Sequence, residues 1–356
     1  VYAPYGKLLP GMAYLIRRLL ENTANSSFLR QNLTDKPIEE LIAPPSVKDK
    51  GDKERRDTGF ENAADTDYAD AELRSKAENA LAKVKTLLGK TYLPLINGEY
   101  QETNIYIESI NPSDTSQIIG KVGQLDTEKA KIAMEAAKDA FPVWKNTSAT
   151  ERANIIRKAA DIMEERRHEL NAWICLEVGK IIPQADGEVS EAIDFCRYYA
   201  DEMERLAQGY NYDVMGETDR YFYQPKGIAV VIAPWNFPFA IAVGMTVAAL
   251  VTGNCTLLKP AANSSVVAAK ITEILVAAGI PPGVFQFVPG RGSTVGEYLV
   301  NHKDTHLIVF TGSQEVGCRI YAQAAMLQPG QKHLKKVIAE MGGKNAIIVD
   351  ESADLD

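Results

Sequence analysis

The chain has 356 residues, 46% of them hydrophobic and 24% charged, the balance of an ordinary globular protein with room for two or three domains. Its net charge of −8 argues against a nucleic-acid-binding surface and gives no reason to expect anionic lipid as a partner. Cys175, Cys196, Cys255 and Cys318 are widely spaced with no Cys-x-x-Cys pair, and the histidines show no Cys/His ligand spacing, which disfavours a disulfide framework and a metal site alike.

Residues 1–35 form a short piece with one expected helix, Pro10 to Glu21, carrying Arg17-Arg18. There is no initiating Met and no secretory n-region, so the chain reads as a piece cut from a longer polypeptide. Residues 36–90 read as a linker and a helix: Ala43-Pro44-Pro45 and the charge run Lys48 to Asp57 are solvated tether, and a helix is expected over 69–89. From Thr91 the pattern changes. Short strands are expected from Pro94 to Gly98 and from Ile105 to Ile110, with a turn at Asn111-Pro112. Three helices come after them: Thr127 to Ala140 behind the cap Asp126, a second opening on the box Ser148-x-x-Glu151 and running with breaks toward Gly179, and a third from Glu188 to Ala207.

Tyr210 to Val214 and Arg220 to Gln224, with Gly216 between them, predict a projecting hairpin. Strands are then expected at 227–232, 255–258, 284–288, 307–310 and 335–339, alternating with helices near 237–252, 264–278, 293–301 and 314–327. Such alternation with apolar strands predicts an α/β fold whose parallel sheet is covered on both faces. The uncharged run from Gly227 to Gly253 is long enough to span a membrane, but Pro234, Asn236 and Pro238 interrupt it. A buried strand, a loop and a buried helix account for it better.

Four segments carry candidate chemistry. Ala233-Pro234-Trp235-Asn236-Phe237-Pro238 lies after a strand at its carboxyl end, where ligands gather; the Asn236 amide can donate to a developing oxyanion or merely cap the next helix. Lys259-Pro260 ends the next strand, where a lysine can meet ribose or phosphate, or simply face solvent. Gly290 to Gly296 has one residue too many for the dinucleotide fingerprint and is explained by a tight turn, whereas Phe310-Thr311-Gly312-Ser313 opens a helix whose backbone N–H groups can hold a pyrophosphate. Glu340, before Met341-Gly342-Gly343-Lys344, has the mobility a general base needs, or is a surface charge at a strand end. All four cysteines read as small core hydrophobes.

Together these segments, from about residue 91 to the C-terminus, resemble the aldehyde dehydrogenase superfamily: Pro-Trp-Asn-Phe-Pro, Leu-Lys-Pro, Phe-Thr-Gly-Ser-x-x-x-Gly and Glu-Met-Gly-Gly-Lys occur in that order. The resemblance implies a Rossmann-type NAD-binding domain over 91–356, with Asn236 as the oxyanion amide and Glu340 as the base for the hydrolytic water. It implies that Lys259 and Ser313 contact ribose and pyrophosphate. Ile232, Ala233, Pro234, Trp235, Gly292, Gly296, Phe310, Thr311, Gly312, Val316 and Met341 would line the same cofactor. It also makes the 210–224 hairpin an oligomerisation element, hence a homo-oligomer. Many NAD-preferring relatives carry a glutamate shortly after the Lys-Pro step, where Ala261-Ala262 stand here, so NADP stays open beside NAD. The family's nucleophilic cysteine and substrate-carboxylate anchor would fall past Asp356, so the 356 residues alone are expected to bind NAD weakly or not at all and to show no turnover.

Tyr2-Ala-Pro and Arg17-Arg18-Leu-Leu-Glu21-Asn22 resemble the last helical region of the proline dehydrogenase barrel in the bifunctional proline dehydrogenase/L-glutamate γ-semialdehyde dehydrogenase branch. That implies Arg17 and Arg18 on a proline carboxylate and Tyr2 on the substrate ring, with the FAD site in barrel strands not in this sequence; a basic surface stripe is the plain alternative. Ser190 to Tyr199 resembles the same branch and implies that Glu191 meets the substrate's amino group. The expected function is cytoplasmic, NAD-dependent oxidation of L-glutamate γ-semialdehyde to glutamate in proline degradation. A different aldehyde substrate and a non-catalytic protein on this fold are the alternatives.

Overall fold

The computed structural model describes residues 60–346, and the expectations for Tyr2, Arg17 and Arg18 lie outside the described residues. Residues 60–89, which sequence alone leaves to linker and helix, are anchored on the main body. Asn62 and Ala63 donate to the Asp194 carboxylate at 2.6 and 2.7 Å, and Thr66 donates twice to Asp186. Helix α1 (Ala71–Lys85) opens on Asp70, whose side chain accepts from the Glu72 and Leu73 amides.

Five strands come next: β1 (Lys90–Tyr92), β2 (Leu95–Ile96), β3 (Glu99–Tyr100), β4 (Tyr106–Asn111) and β5 (Asp114–Gly123). The residue pattern gives no sign of the last, because Asp114-Thr-Ser-Gln117 is polar and the strand lacks clean alternation. Pairing on both sides holds it, parallel to β1 and antiparallel to β4. Helix α2 (Thr127–Trp144) runs past the expected stop at Ala140 and through Pro142. That proline forfeits one N–H in the final turn, while buried Trp144 secures the extension by donating its indole N–H to the Leu250 carbonyl at 3.1 Å.

The Ser148/Glu151 capping box forms and opens α3 (Ala149–Glu165); α4 (Arg167–Val178) stops at Gly179, whose φ of 74° suits a residue without Cβ. Helix α5 (Ile182–Ala207) begins at Ile182 rather than Glu188. Proline in its first turn presets the backbone, and Asp186 and Glu188, which look like surface charges in sequence, are buried. The hairpin is β6 (Tyr210–Val214) and β7 (Glu217–Tyr221), so its second strand lies nearer than 220–224. Met215 and Gly216, the latter at φ 86°, make a two-residue turn that sets Val214 against Glu217.

The remaining elements are β8 (Ile228–Ile232), α6 (Ala240–Val251), β9 (Cys255–Lys259), α7 (Ser265–Ala278), β10 (Phe285–Phe287), α8 (Glu297–Asn301), β11 (Thr305–Gly312), α9 (Gln314–Ala325) and β12 (Lys336–Met341). The uncharged run resolves into β8, a loop and α6, and no helix among the described residues is long and apolar enough to cross a membrane. The main sheet has the order β12-β11-β8-β9-β10-β2-β3. Its first five strands are parallel, and β2 and β3 are antiparallel additions. β9 and nearly all of β8 are buried, as strands covered on both faces must be. One expectation fails at the surface: Cys318 is exposed on α9, because it lies on the helix face opposite buried Gly317 and Ile320.

Candidate active site

Strand register places the chemistry. Ile232 pairs with both Lys259 and Phe310, and Phe310 pairs with Ala339, so these four residues form one row across β9, β8, β11 and β12. Beyond this row each strand runs out of the sheet at the same carboxyl edge. β8 leads to β9 on one side while β11 lies on its other side, so this is the switch point where an open α/β sheet holds ligands.

The loop from Ala233 to Phe239 is fixed at its ends and exposed in the middle. Ala233 and Pro234 are buried and the Ala233 amide donates to the Lys259 carbonyl at 3.1 Å. Trp235, Asn236 and Phe237 are exposed. Asn236 does not cap α6. The helix starts at Ala240, and its first amides, Phe239 and Ala240, donate to the buried Glu188 carboxylate at 3.1 and 3.2 Å. Glu188 is in turn paired with the Lys180 ammonium at 2.5 Å. The Asn236 amide makes no hydrogen bond to any described residue.

A second buried carboxylate does the same for the next helix. Glu177 accepts from the Val266 and Val267 amides of α7 at 2.8 and 2.6 Å and from the Ser109 hydroxyl at 2.6 Å. Burial pushes its carboxyl up to about 7 against those hydrogen bonds. Two helix N-termini on this edge, the usual phosphate seats of such folds, are thus already filled by protein carboxylates. Nothing in the sequence pattern marks Glu177, Lys180 or Glu188, since each looks like an ordinary helix charge.

The N-terminus of α9 is different. Ser313 caps it by accepting from the Val316 amide, which leaves the hydroxyl proton as a donor at an exposed helix end. Half-buried Val316 packs under the sheet with Phe310. The glycines of this segment serve packing: a Cβ on Gly312 would sit 2.7 Å from the Phe310 ring, and one on Gly317 would sit 2.5 Å from Met341 Sδ.

Lys259 is buried, and its only polar partner among the described residues is the Pro260 carbonyl at 3.0 Å. An ammonium has three donors. Burial without a counter-ion pulls it down to about 8. It lines a cavity of about 250 Å³ with Ala262, Gly290, Arg291 and Gly292. A neighbouring cavity of about 320 Å³ shares Ile107 and Ala262 and adds Trp235 and Glu177. The residues therefore fit a dinucleotide: an under-satisfied buried cation faces space, and a free helix N-terminus stands on the same edge. Gly296 belongs to this arrangement, since a Cβ there would lie 3.3 Å from Lys259 Cε. Its backbone is helical, so Gly296→Ala is expected to fold normally but push the lysine aside and weaken NAD affinity about tenfold (about 1.4 kcal/mol). Calorimetric titration with NAD, in an enzyme of full family length carrying this chain, checks this.

On the opposite face of β11 and β12, Thr311 and Glu340 are direct partners. Both line a cavity of about 860 Å³ with Met245 of α6, and the Thr311 hydroxyl reaches Met245 Sδ at 3.5 Å. Glu340 is exposed within the ladder rather than ending it, because β12 continues to Met341. Glu191 is exposed on α5. Burial and the charge of Glu188 raise its carboxyl, partly offset by Lys180. Burial pushes the Cys175 thiol up to about 11 and those of Cys196 and Cys255 to about 12, which leaves them poor nucleophiles. Glu135, His302 and Asp304 cluster closely, but the Lys138 ammonium lies 3.4 Å from Asp304 Oδ2 and serves as its counter-ion.

Residues 100–356 match the aldehyde dehydrogenase family, and residues 1–31 match proline dehydrogenase. The chain belongs to the aldehyde dehydrogenase family. It is 49% identical over 298 residues to the 1-pyrroline-5-carboxylate dehydrogenase of Oceanobacillus iheyensis, a match covering 83% of this chain and 58% of that one. The 1-pyrroline-5-carboxylate dehydrogenase 2 of Bacillus subtilis is 48% identical, over 84% of this chain and 58% of its own. The chain thus spans little more than half the length of these relatives. Among solved structures it is similar to proline utilization A from Bdellovibrio bacteriovorus inactivated by N-propargylglycine, with a TM-score of 0.80 and 44% identity over 96% of this chain and 36% of that one. It is also similar to a Thermus 1-pyrroline-5-carboxylate dehydrogenase with bound NAD, with a TM-score of 0.78 and 41% identity over 80% and 56% of the two chains.

Proposed function

We propose that this chain is the cofactor-binding part of an NAD-dependent dehydrogenase that oxidises L-glutamate γ-semialdehyde to glutamate in proline degradation. The observation that supports the reading is the shared carboxyl edge at the switch point of the sheet: Lys259 ends β9, Glu340 lies near the end of β12, and the segments carrying Asn236 and Ser313 follow β8 and β11. The relatives' names supply the substrate class. NAD, when bound, supplies the hydride acceptor. Lys259 would hold a ribose and the α9 terminus with Ser313 the pyrophosphate, while Ala261-Ala262 puts no carboxylate against a 2′-phosphate and leaves NADP as the alternative. FAD belongs to the proline dehydrogenase likeness of residues 1–31 alone.

In this reading a cysteine thiolate, none of the four in this chain, adds to the aldehyde carbonyl. The carbonyl electron pair moves to oxygen, and the unpartnered Asn236 amide donates to that oxyanion. After oxidation to the acyl thioester, Glu340 takes a proton from the water that cleaves it, releasing the carboxylic acid and the thiol. Glu191 would meet the substrate's ammonium. Four free cysteines suit a reducing cytoplasm, and a hairpin exposed along both strands suits self-association into a homo-oligomer. The test is kcat/KM in an enzyme of full family length carrying this chain. The semialdehyde is expected to exceed propanal by about 100-fold, the worth of one or two charge-assisted contacts; equal values refute the substrate assignment.

A further inference from the structure

The Asn236 side chain has no partner among the described residues, yet the residues just after it are gripped by one ion pair, Lys180 with the buried Glu188. Glu188, 1% exposed, lies across the N-terminus of α6 and accepts from the Phe239 and Ala240 amides through a single carboxylate oxygen. Its other oxygen faces the Lys180 ammonium at 2.5 Å. The same ammonium stands over the Phe237 ring, 3.6 Å from its centroid. Lys180 comes from the turn before α5 and Glu188 from its second turn, so a single helix start holds residues 237, 239 and 240, immediately beyond Asn236.

We infer that Lys180 and Glu188 are positioning residues for Asn236: the pair fixes the next residues of the loop so that the amide is aimed without a hydrogen bond of its own. An oxyanion donor tied to a neighbour would have to break that bond when charge develops, whereas one held only through its backbone reorganises little. The side chains that aim it are themselves suited to the task. A carboxylate at a helix N-terminus and a cation over an aromatic ring are each favourable, and each charge is neutralised by the other inside the protein. This inference rests on the proposed role of Asn236.

Removing one charge alone would strand the other in a buried site, so the informative variant removes both, Glu188→Gln with Lys180→Met. The glutamine oxygen still accepts from the helix, and methionine keeps the stem. In an enzyme of full family length carrying this chain, the double variant is expected to lower kcat about tenfold with KM for NAD unchanged. In an Asn236→Ala background it is expected to lower kcat less than twofold further, because its effect passes through that amide. In the 356-residue chain the Phe239 and Ala240 amides are expected to exchange with solvent about tenfold faster. Equal kcat losses in both backgrounds, with Asn236→Ala itself strongly impaired, would overturn the positioning role and leave the function standing. Full turnover of Asn236→Ala would overturn both.

Discussion

Asn236→Ala is expected to lower kcat by about 10²–10³-fold in an enzyme of full family length, the effect of deleting one side-chain oxyanion donor, and to leave NAD affinity within about twofold. The structure separates this outcome from its structural rival. An asparagine that capped α6 would on replacement cost about 1 kcal/mol of stability while sparing the chemistry. That duty belongs to Glu188, whose carboxylate takes both leading amides of the helix. Asn236 is exposed and without a partner among the described residues, so the alanine variant should melt within about 1 °C of the parent chain. Turnover with the semialdehyde and a thermal melt decide together. A lowered melting temperature with intact turnover would return Asn236 to a local structural role and remove the oxyanion assignment.

The parts of the fold that depend on periodicity were legible. β8, β9 and β11 are apolar runs bounded by glycine or proline, and α6, α7 and α9 lie close to where the spacing puts them. β5 was not, because its polar first half becomes a strand only through partners far along the chain. Motif order also pointed to the edge proposed as the site: Lys259 ends β9, Asn236 and Ser313 follow β8 and β11, and Glu340 stands one residue before β12 ends. What the residues could not reveal was which helix ends were available. Glu177 and Glu188 look like solvent-facing charges in their helices, and only tertiary packing shows that they plug α7 and α6. The same packing turns Gly296 from a tight-turn glycine into the space that Lys259 occupies.

Lys259→Met is expected to stabilise the chain at neutral pH while abolishing measurable NAD binding. The ammonium is buried with one carbonyl for company, and burial lowers it from its ordinary 10.5 to about 8. Below pH 8 it is charged in both folded and unfolded chains, and the folded state alone bears the cost of desolvation, about 3 kcal/mol. Between pH 8 and 10.5 the unfolded chain binds more protons than the folded one, so stability rises with pH across that window and the penalty is gone above it. Methionine fills the same stem against Gly296 and carries no charge. The variant should therefore gain up to about 3 kcal/mol at pH 7, shrinking toward zero near pH 10.5, measured by urea unfolding at several pH values. A ligand that supplies the missing partners reverses the argument: ribose hydroxyls or phosphate favour the charged lysine, so NAD affinity should fall as pH rises through about 8 in the parent chain. A buried cation kept at this cost is explained by what it binds. If Lys259→Met proved no more stable than the parent and bound NAD equally well, the cavity beside Lys259 would not be the cofactor's seat.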